Sequence, residues 1–460
     1  MMEPADLRAQ AHLFDDYTEL RVQQNRSVGL TMINGDLIRN ARSAQGGVSA
    51  RVAKAGHWGF CSTPELDQKA MERVVSRATT NARVLASRSE RPTLGLPPTR
   101  GKGSHDRATT KERRSQKELI EFLEAIDAHV KDTYPKLSSR LIALSNLDMQ
   151  KTLLTSEGAE AFSMTPRSLL YLEMTLEVGS EPINLMEAYG GLGQFEDRFD
   201  DPSRLFESLA RQYEHLEKKA AGVYAEAGPK TCILDAELAG ILAHEAIGHT
   251  TEADFVMGGS VAGQYMDKEV ASPLVTLVDF AHTALGETCP VPVQIDDEGT
   301  PAEDCTIIDQ GVLRSYMHNK ESAGHFEAAP TGNARAFMFS DEPLIRMRNT
   351  AIMPGTSKLE EMIASVDDGY YLMKPGNGQA DTTSEFMFAV TQGYEIKNGK
   401  LGRGLRDTTI SGVAFDLLKT VSMLSDDMVW TASGMCGKKQ PIPVGMGGPA
   451  IKCTVSLGGR

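Results

Sequence analysis

The sequence predicts an α+β fold in several domains, N-terminal α/β units followed by a β-rich C-terminal domain. Two periodicities and one change of texture carry that prediction. Leu170, Leu172, Met174, Leu176 and Val178 alternate with Tyr171, Glu173, Thr175 and Glu177, the period of two expected of an antiparallel strand with one covered face. Leu119, Ile120, Leu123, Ile126 and Val130 instead share one face of a helix over 117–130. From about Gly228 the chain turns to short strand-like runs with frequent glycine. Repeats at solenoid or propeller periods are not found.

The first unit, 1–100, opens with a hairpin. Val28 to Ile33, Asn34-Gly35, and Asp36 to Asn40 place the two residues that accept positive φ at the turn. Val48, Ala50 and Val52 alternate with Ser49 and Arg51, a half-buried strand. Ser62-Thr63-Pro64-Glu65 reads as a helix start, continued by Leu66, Ala70, Val74, Ala78 and Leu85 at helical spacing. The stretch 87–114, rich in Pro, Gly, Ser, Lys and Arg, reads as a mobile surface linker, a solvated loop rather than a site for an acidic partner. The middle unit, 101–227, holds the helix at 117–130, the alternating strand and a further amphipathic helix from Pro202 to about Ala221, with Leu205, Leu209, Tyr213 and Leu216 inward. The C-terminal domain, 228–460, contains a second hairpin signal at Asn398-Gly399.

Composition excludes several function classes. With 48 basic and 62 acidic side chains the net charge is −14, which argues against nucleic acid as the partner and against an anionic membrane surface. The ~20 apolar residues needed to span a bilayer occur nowhere in succession. Met1 to Asp6 has neither the basic nor the apolar region of a secretory leader. Six irregularly placed cysteines make no disulfide framework. The expected compartment is the cytoplasm.

The chemistry concentrates in Ala236 to His249, a helical pattern ending in His244-Glu245-Ala246-Ile247-Gly248-His249. Two imidazoles and an adjacent carboxylate are the ingredients of a zinc hydrolase. Residues i and i+4 lie ~40° apart around an α-helix, but i and i+5 lie ~140° apart. That is too wide for two ligands of one ion. A π-bulge, or a helix end at Gly248, is therefore expected over 246–249. The competing reading is a histidine pair that caps helix-end carbonyls. A third ligand must come from elsewhere. Cys436, between Gly434 and Gly437, would serve as a thiolate and leave the fourth position open, unless it is simply a small buried thiol in a glycine-rich turn.

His244 to His249 with Glu252 and Asp254, together with Gly434-Met435-Cys436-Gly437-Lys438, resemble the TldD/PmbA family of metallopeptidases. Other stretches are similar in the same order: Gly46 to Val52 with Trp58-Gly59-Phe60, Asp296-Asp297-Glu298-Gly299, Thr331 to Arg335, Asn349 to Gly355 and Gly458-Gly459. TldD-type members keep the HExxxH motif and the late cysteine, whereas PmbA-type (TldE) members lack the metal site and form the other half of a heterodimer. The resemblance implies a TldD-type zinc peptidase acting on unfolded or modified peptides in a two-subunit chamber, with a PmbA/TldE-like paralogue or a second copy of itself. It implies His244, His249 and Cys436 as Zn2+ ligands and Glu245 as the catalytic acid/base. A non-catalytic partner or scaffold subunit, and a zinc hydrolase with a non-peptide substrate, are the rival readings.

The remaining candidates have plainer readings. Glu252 and Asp254 are expected as surface carboxylates rather than groups orienting an imidazole. Asp296-Asp297-Glu298-Gly299 is expected as an acidic turn rather than a cation loop. Asn333 and Arg335 fit a structural turn or an oxyanion site equally. Gly190-Gly191-Leu192-Gly193 lacks the helix and spacing of a dinucleotide fingerprint. Gly437-Lys438 lacks the glycine and hydroxyl positions of a phosphate loop. Cys61, Cys232, Cys289, Cys305 and Cys453 are expected as buried thiols, and His57, His282, His318 and His325 in ordinary hydrogen-bonded roles.

Overall fold

The computed structural model describes residues 7–89, 95–431 and 433–458. The 1–6 start, part of the expected linker (90–94) and Gly459 lie outside the described residues. The α+β class holds: two large sheets, a smaller six-stranded one, and helices packed on or between them.

The first sheet contains β1 (Tyr17–Ile33), β2 (Asp36–Lys54), β3 (His57–Thr63), β4 (Lys102–Asp106), β5 (Ser139–Thr155), β6 (Glu160–Val178) and β7 (Glu181–Leu192), ordered β3-β2-β1-β5-β6-β4 with β7 also on β6. Strands from 1–100 and from 101–227 thus share one sheet. At the Asn34-Gly35 hairpin Ile33 pairs with Asp36, and φ is 52° and 92° at the two turn residues. The alternating segment is β6, with Leu170, Leu172 and Met174 buried under helices and Val178 exposed at its end.

Three helices cover one face: α1 (Gln68–Arg88), α2 (Gln116–Thr133) and α3 (Phe206–Ala220). In α2 the capping box is Ser115 with Glu118, and Leu119, Leu123, Ile126 and Val130 are buried. α3 inserts Leu209 and Leu216 into the same core. α1 starts later than its sequence signal. Thr63 is held in β3 by pairing with Val48, and Asp67 is the capping residue, its side chain accepting from the Ala70 N–H at 2.7 Å. Leu66 and Leu85 are exposed, while Ala70, Val74 and Ala78 are fully buried.

Two other expectations change. The β2 segment around Val48 is buried on both faces, since Ser49 and Arg51 are covered as completely as Val48 and Ala50. Their cover is the C-terminal domain: Gln23 and Asn25 of β1 donate to Phe337 O at 2.5 and 2.7 Å. At Gly47 a Cβ would run into Thr63 O and the Phe339 ring. The supposed linker is also structured where it is described. α1 runs to Arg88, Lys102–Asp106 pairs in parallel with β6, Gly101 is buried, and Arg114 N–H donates to Glu196 Oε1 at 2.7 Å.

In the C-terminal part, a nine-stranded sheet is centred on Ile451–Gly458, Gly228–Leu234 and Asp368–Leu372. A six-stranded sheet includes Leu277–Phe280, Asn349–Ile352 and Gly445–Gly448. A helical segment over 236–251 packs against strands of both and supplies Leu238, Leu242, Ala246 and Ile247, all fully buried, to the main core. The second hairpin forms as expected, with Lys397 opposite Lys400 and positive φ at Asn398 and Gly399.

Candidate metal centre

The helical segment begins with Asp235, whose side chain accepts from the Leu238 N–H at 3.0 Å. It is α-helical over Ala236–Ile241 and then rewinds as a π-helix over Leu242–Gly248. The His249 N–H bonds to His244 O, five residues back, so the wider turn brings i and i+5 together. Of the two devices expected from the spacing, the structure uses this one. Gly248 is needed there because a Cβ would overlap Met347 Sδ.

The two rings sit 5.3 Å apart, centre to centre, and Cys436 arrives from a short hairpin in which it pairs with Ile442. Cys436 Sγ lies 3.4 Å from His249 Nε2, and one donor atom from each of His244, His249 and Cys436 falls within 4.8 Å of the others. Glu245 reaches the same point, 3.5 Å from His249 Nε2 and 4.0 Å from His244 Nε2. The structure therefore brings all four sequence-predicted residues together. His244 is fully buried with neither ring nitrogen hydrogen-bonded. An imidazole without a partner in the interior is costly, and a bound cation would remove that cost. Two imidazoles and a thiol also form a donor set suited to zinc. The residues fit a metal.

Electrostatics agree with the donor set. Burial alone would raise the Cys436 thiol, but the facing His244 and His249 imidazoles hold it down at about 3. Burial works against a charged His249, yet the Glu252 carboxylate and the Cys436 sulfur outweigh it and raise its pKa well above the usual range.

Glu252 is no surface carboxylate. It is fully buried, 2.8 Å from His249 Nδ1 and 3.3 Å from Lys438 Nζ. It thereby fixes the ring with Nε2 toward the cluster. Asp254 is partly exposed as expected, but it anchors Lys438 at 2.7 Å rather than standing free. Lys438 also donates to Ile345 O at 3.1 Å. Arg346, fully buried, donates to the carbonyls of Cys436 (2.7 Å), Lys438 (3.1 Å) and Gln440 (2.7 Å), clamping the loop that carries the sulfur. Sequence reading missed both cations. In sequence Lys438 stands only as the end of the Gly434–Lys438 run and as a failed phosphate-loop lysine, and Arg346, alternating with Ile345 and Met347, looks like the wet face of a strand.

The other candidates are structural. Asp296, Asp297 and Glu298 are buried where the C-terminal domain meets the first sheet, Asp297 bonded to Lys151 (2.6 Å) and Glu298 to Arg51 (2.6 Å). Asn333 donates to Asp279 at 2.8 Å, and Arg335 to the carbonyls of Met347 (2.5 Å) and Pro443 (2.8 Å). Cys232, Cys289, Cys305 and Cys453 are buried thiols, while Cys61 is half-buried. His318 bonds Ser322 and His57 bonds Ser89.

Residues 227–459 match the family model described as the PmbA/TldA metallopeptidase C-terminal domain, and residues 18–82 match that of PmbA/TldA metallopeptidase domain 1. A metalloprotease of Methanocaldococcus jannaschii is 30% identical over 96% of this chain and 97% of its own. A zinc metalloprotease TldD homolog of Saccharolobus solfataricus is 29% identical over 88% of each. Among solved structures, TldE from Thermococcus kodakarensis shares the fold at a TM-score of 0.76, with 16% identity over 98% of this chain and 99% of that one. By the matched domains and the near full-length likeness, the chain belongs to the PmbA/TldD family of metallopeptidases.

Proposed function

We propose that this chain is a TldD-type, zinc-dependent peptidase that hydrolyses unfolded or modified peptides in the cytoplasm. In this reading it works within a dimeric chamber formed with a PmbA/TldE-like paralogue or a second copy. The supporting observation is the convergence of His244, His249 and Cys436 donor atoms within 4.8 Å, with Glu245 against both imidazoles. His244, His249 and Cys436 would hold the ion. Zinc bound by them supplies a Lewis acid that polarises a peptide carbonyl and acidifies water.

The protein's own groups do the rest. Glu245 takes a proton from the attacking water and returns it to the departing amine. Its side chain is 23% exposed and that of His249 18%, while His244 and Cys436 are fully buried, so the carboxylate lies on the open side of the cluster. Glu252, braced by Lys438, holds the Nδ1 side of His249 and keeps Nε2 on the ligand side. The relatives' description as metalloproteases supports the reaction class. The net charge of −14 supports a partner other than nucleic acid.

The test is a pair of variants assayed on an unfolded peptide, with and without a TldE-like partner. Glu245→Gln keeps its zinc and loses turnover; His244→Ala loses both. A fully active Glu245→Gln would refute the acid/base role. A zinc-loaded wild type that cuts no peptide in either assembly would favour the scaffold reading.

A further inference from the structure

Only the later part of β2 is paired on both sides. β1 runs beside it throughout, but β3 begins at the Thr63–Val48 pair and reaches no residue before Val48. Among the described residues, the outer edge of 36–46 therefore has no partner strand. It is open to solvent: 36–40 and 42–45 are all exposed, Leu37 at 38% and Ile38 at 60%. Such an edge presents a row of unpaired main-chain N–H and C=O groups, which folded proteins usually blunt with lysine, proline or a short strand. The run at 36–46 contains neither residue, and at ~3.4 Å per residue it extends about 37 Å. Its one interruption is the register shift near the hairpin tip, between Thr31 and Met32 of β1.

The edge is also basic. Arg39 and Arg42 stand three positions apart, hence on opposite faces of the sheet. Neither guanidinium has a hydrogen-bond or ion-pair partner among the described residues. Arg39 lies across Gly29, its guanidinium carbon 3.6 Å from where a Cβ would stand. Beside it, Thr31, Ala41, Ser43, Ser145 and Tyr171 line a hollow of about 330 Å³. On the other face Arg42 is opposite Val28 and Ala44 is opposite Arg26, so the two arginines are diagonal neighbours. They line a second hollow, of about 400 Å³, with Arg113, Asn146 and Asp148. Arg113 is engaged by Asp148 and Glu196, each at 3.1 Å. Arg26 donates to the Gln24 amide oxygen at 2.9 Å, so it and Arg42 remain without a carboxylate among the described residues.

We propose that the 36–46 edge of β2 accepts an acidic extended segment of another protein as an added strand. In such pairing main-chain bonds supply affinity and alternate side chains supply specificity. Carboxylates three positions apart on the incoming strand would meet Arg39 on one face and Arg42, with Arg26, on the other. A planar carboxylate matches the guanidinium fork. Leu37 and Ile38 add apolar contact at the hairpin end. A second copy of this chain fits less well. Pairing two such edges would gather four arginines on one seam against two Asp36 carboxylates, and like charges across a ladder destabilise it. In a chain of net charge −14 the strip is a local positive exception, which draws an acidic partner to it. The edge belongs to the first sheet and the residues of the metal cluster to the C-terminal domain, so this recognition stands independently of the peptidase reading.

The experiment is fluorescence anisotropy of the labelled octapeptide Thr-Val-Glu-Val-Thr-Glu-Val-Thr, and of the same peptide with lysine for both glutamates, titrated with the full-length protein. The glutamate peptide binds at one site per chain, at least tenfold tighter than the lysine peptide in about 50 mM salt, and the gap narrows in about 0.5 M salt. Amide hydrogen exchange of 36–46 slows when it binds. Arg39→Glu with Arg42→Glu, which alters two exposed side chains, reverses the preference while zinc content and melting temperature stay at wild-type values. Arg39→Gln with Arg42→Gln, which removes the preference, serves should the reversal not fold. Equal affinity for the two peptides, a preference unchanged in the folded double variant, or exchange of 36–46 that does not slow overturns the proposal. Concentration-dependent self-association that protects 36–46 with no peptide present assigns the edge to a second copy and overturns it too.

Discussion

Replacing Glu252 isolates the contribution of the group behind His249. Its carboxylate is fully buried, 2.8 Å from Nδ1 and 3.3 Å from Lys438 Nζ. Loss of such an outer partner weakens metal affinity by roughly 10–100-fold, or ~1.4–2.7 kcal/mol. The structure sets where each variant falls in that range. Glu252→Gln keeps an acceptor oxygen for the ring N–H and loses only the charge, so its loss is ~10-fold. Glu252→Ala loses both, in a site with no solvent to replace them, so its loss approaches ~100-fold. Neither change strands Lys438, which keeps Asp254 at 2.7 Å and Ile345 O at 3.1 Å, so the fold survives. Zinc titration against a competing chromophoric chelator, with thermal melts of the zinc-free proteins alongside, reads both quantities. Wild-type affinity in a folded Glu252→Ala protein would refute the reasoning.

Two further perturbations address the supports of the site, and a third the contact of the first sheet with the C-terminal domain, where Glu19 lies 3.6 Å from Arg51. Gly248→Ala forces a methyl into Met347 Sδ, destabilising by ~1–3 kcal/mol and displacing His249; denaturant unfolding and zinc content check it. Arg346→Met leaves the carbonyls of Cys436, Lys438 and Gln440 without their donor, at ~1–3 kcal/mol for each that stays dry, and zinc affinity falls with stability. Glu19 gives a pH signature: burial, reinforced by Glu298 and opposed by Arg51, raises its pKa from 4.5 to about 8. The folded state therefore holds that proton more tightly than the unfolded chain. The associated stability is complete below the unfolded value and is lost as pH rises through about 8. Melting temperatures of wild type should fall more steeply than those of Glu19→Gln between about pH 5 and about pH 9; parallel curves would contradict the assignment.

Local chemistry was the most legible part of the sequence. Both Asn-Gly turns form where their residues stand, because each depends on its own few dihedrals. The His244–His249 spacing was legible as a geometric problem with few solutions, and the π turn is one of them. What stayed hidden was set by distant partners. Lys102–Asp106 has little intrinsic preference for strand, but pairing with β6 makes it one. Gln23, Asn25 and Arg51 break the alternation of β1 and β2 because the C-terminal domain buries their face too. Glu252 reads as a surface carboxylate and Glu298 as part of an acidic turn because acidic side chains are normally exposed. Their burial follows from Lys438 and Arg51, 186 and 247 positions away in sequence for these two pairs.

The proposed chemistry needs two imidazoles and one thiolate to share a single zinc ion. X-ray absorption at the zinc edge of the purified protein measures that arrangement directly. The expected spectrum has nitrogen scatterers at ~2.0–2.1 Å and one sulfur at ~2.3 Å, the sulfur shell vanishing in Cys436→Ser. A zinc-loaded protein with only nitrogen and oxygen neighbours, or a spectrum unchanged by that substitution, would contradict it.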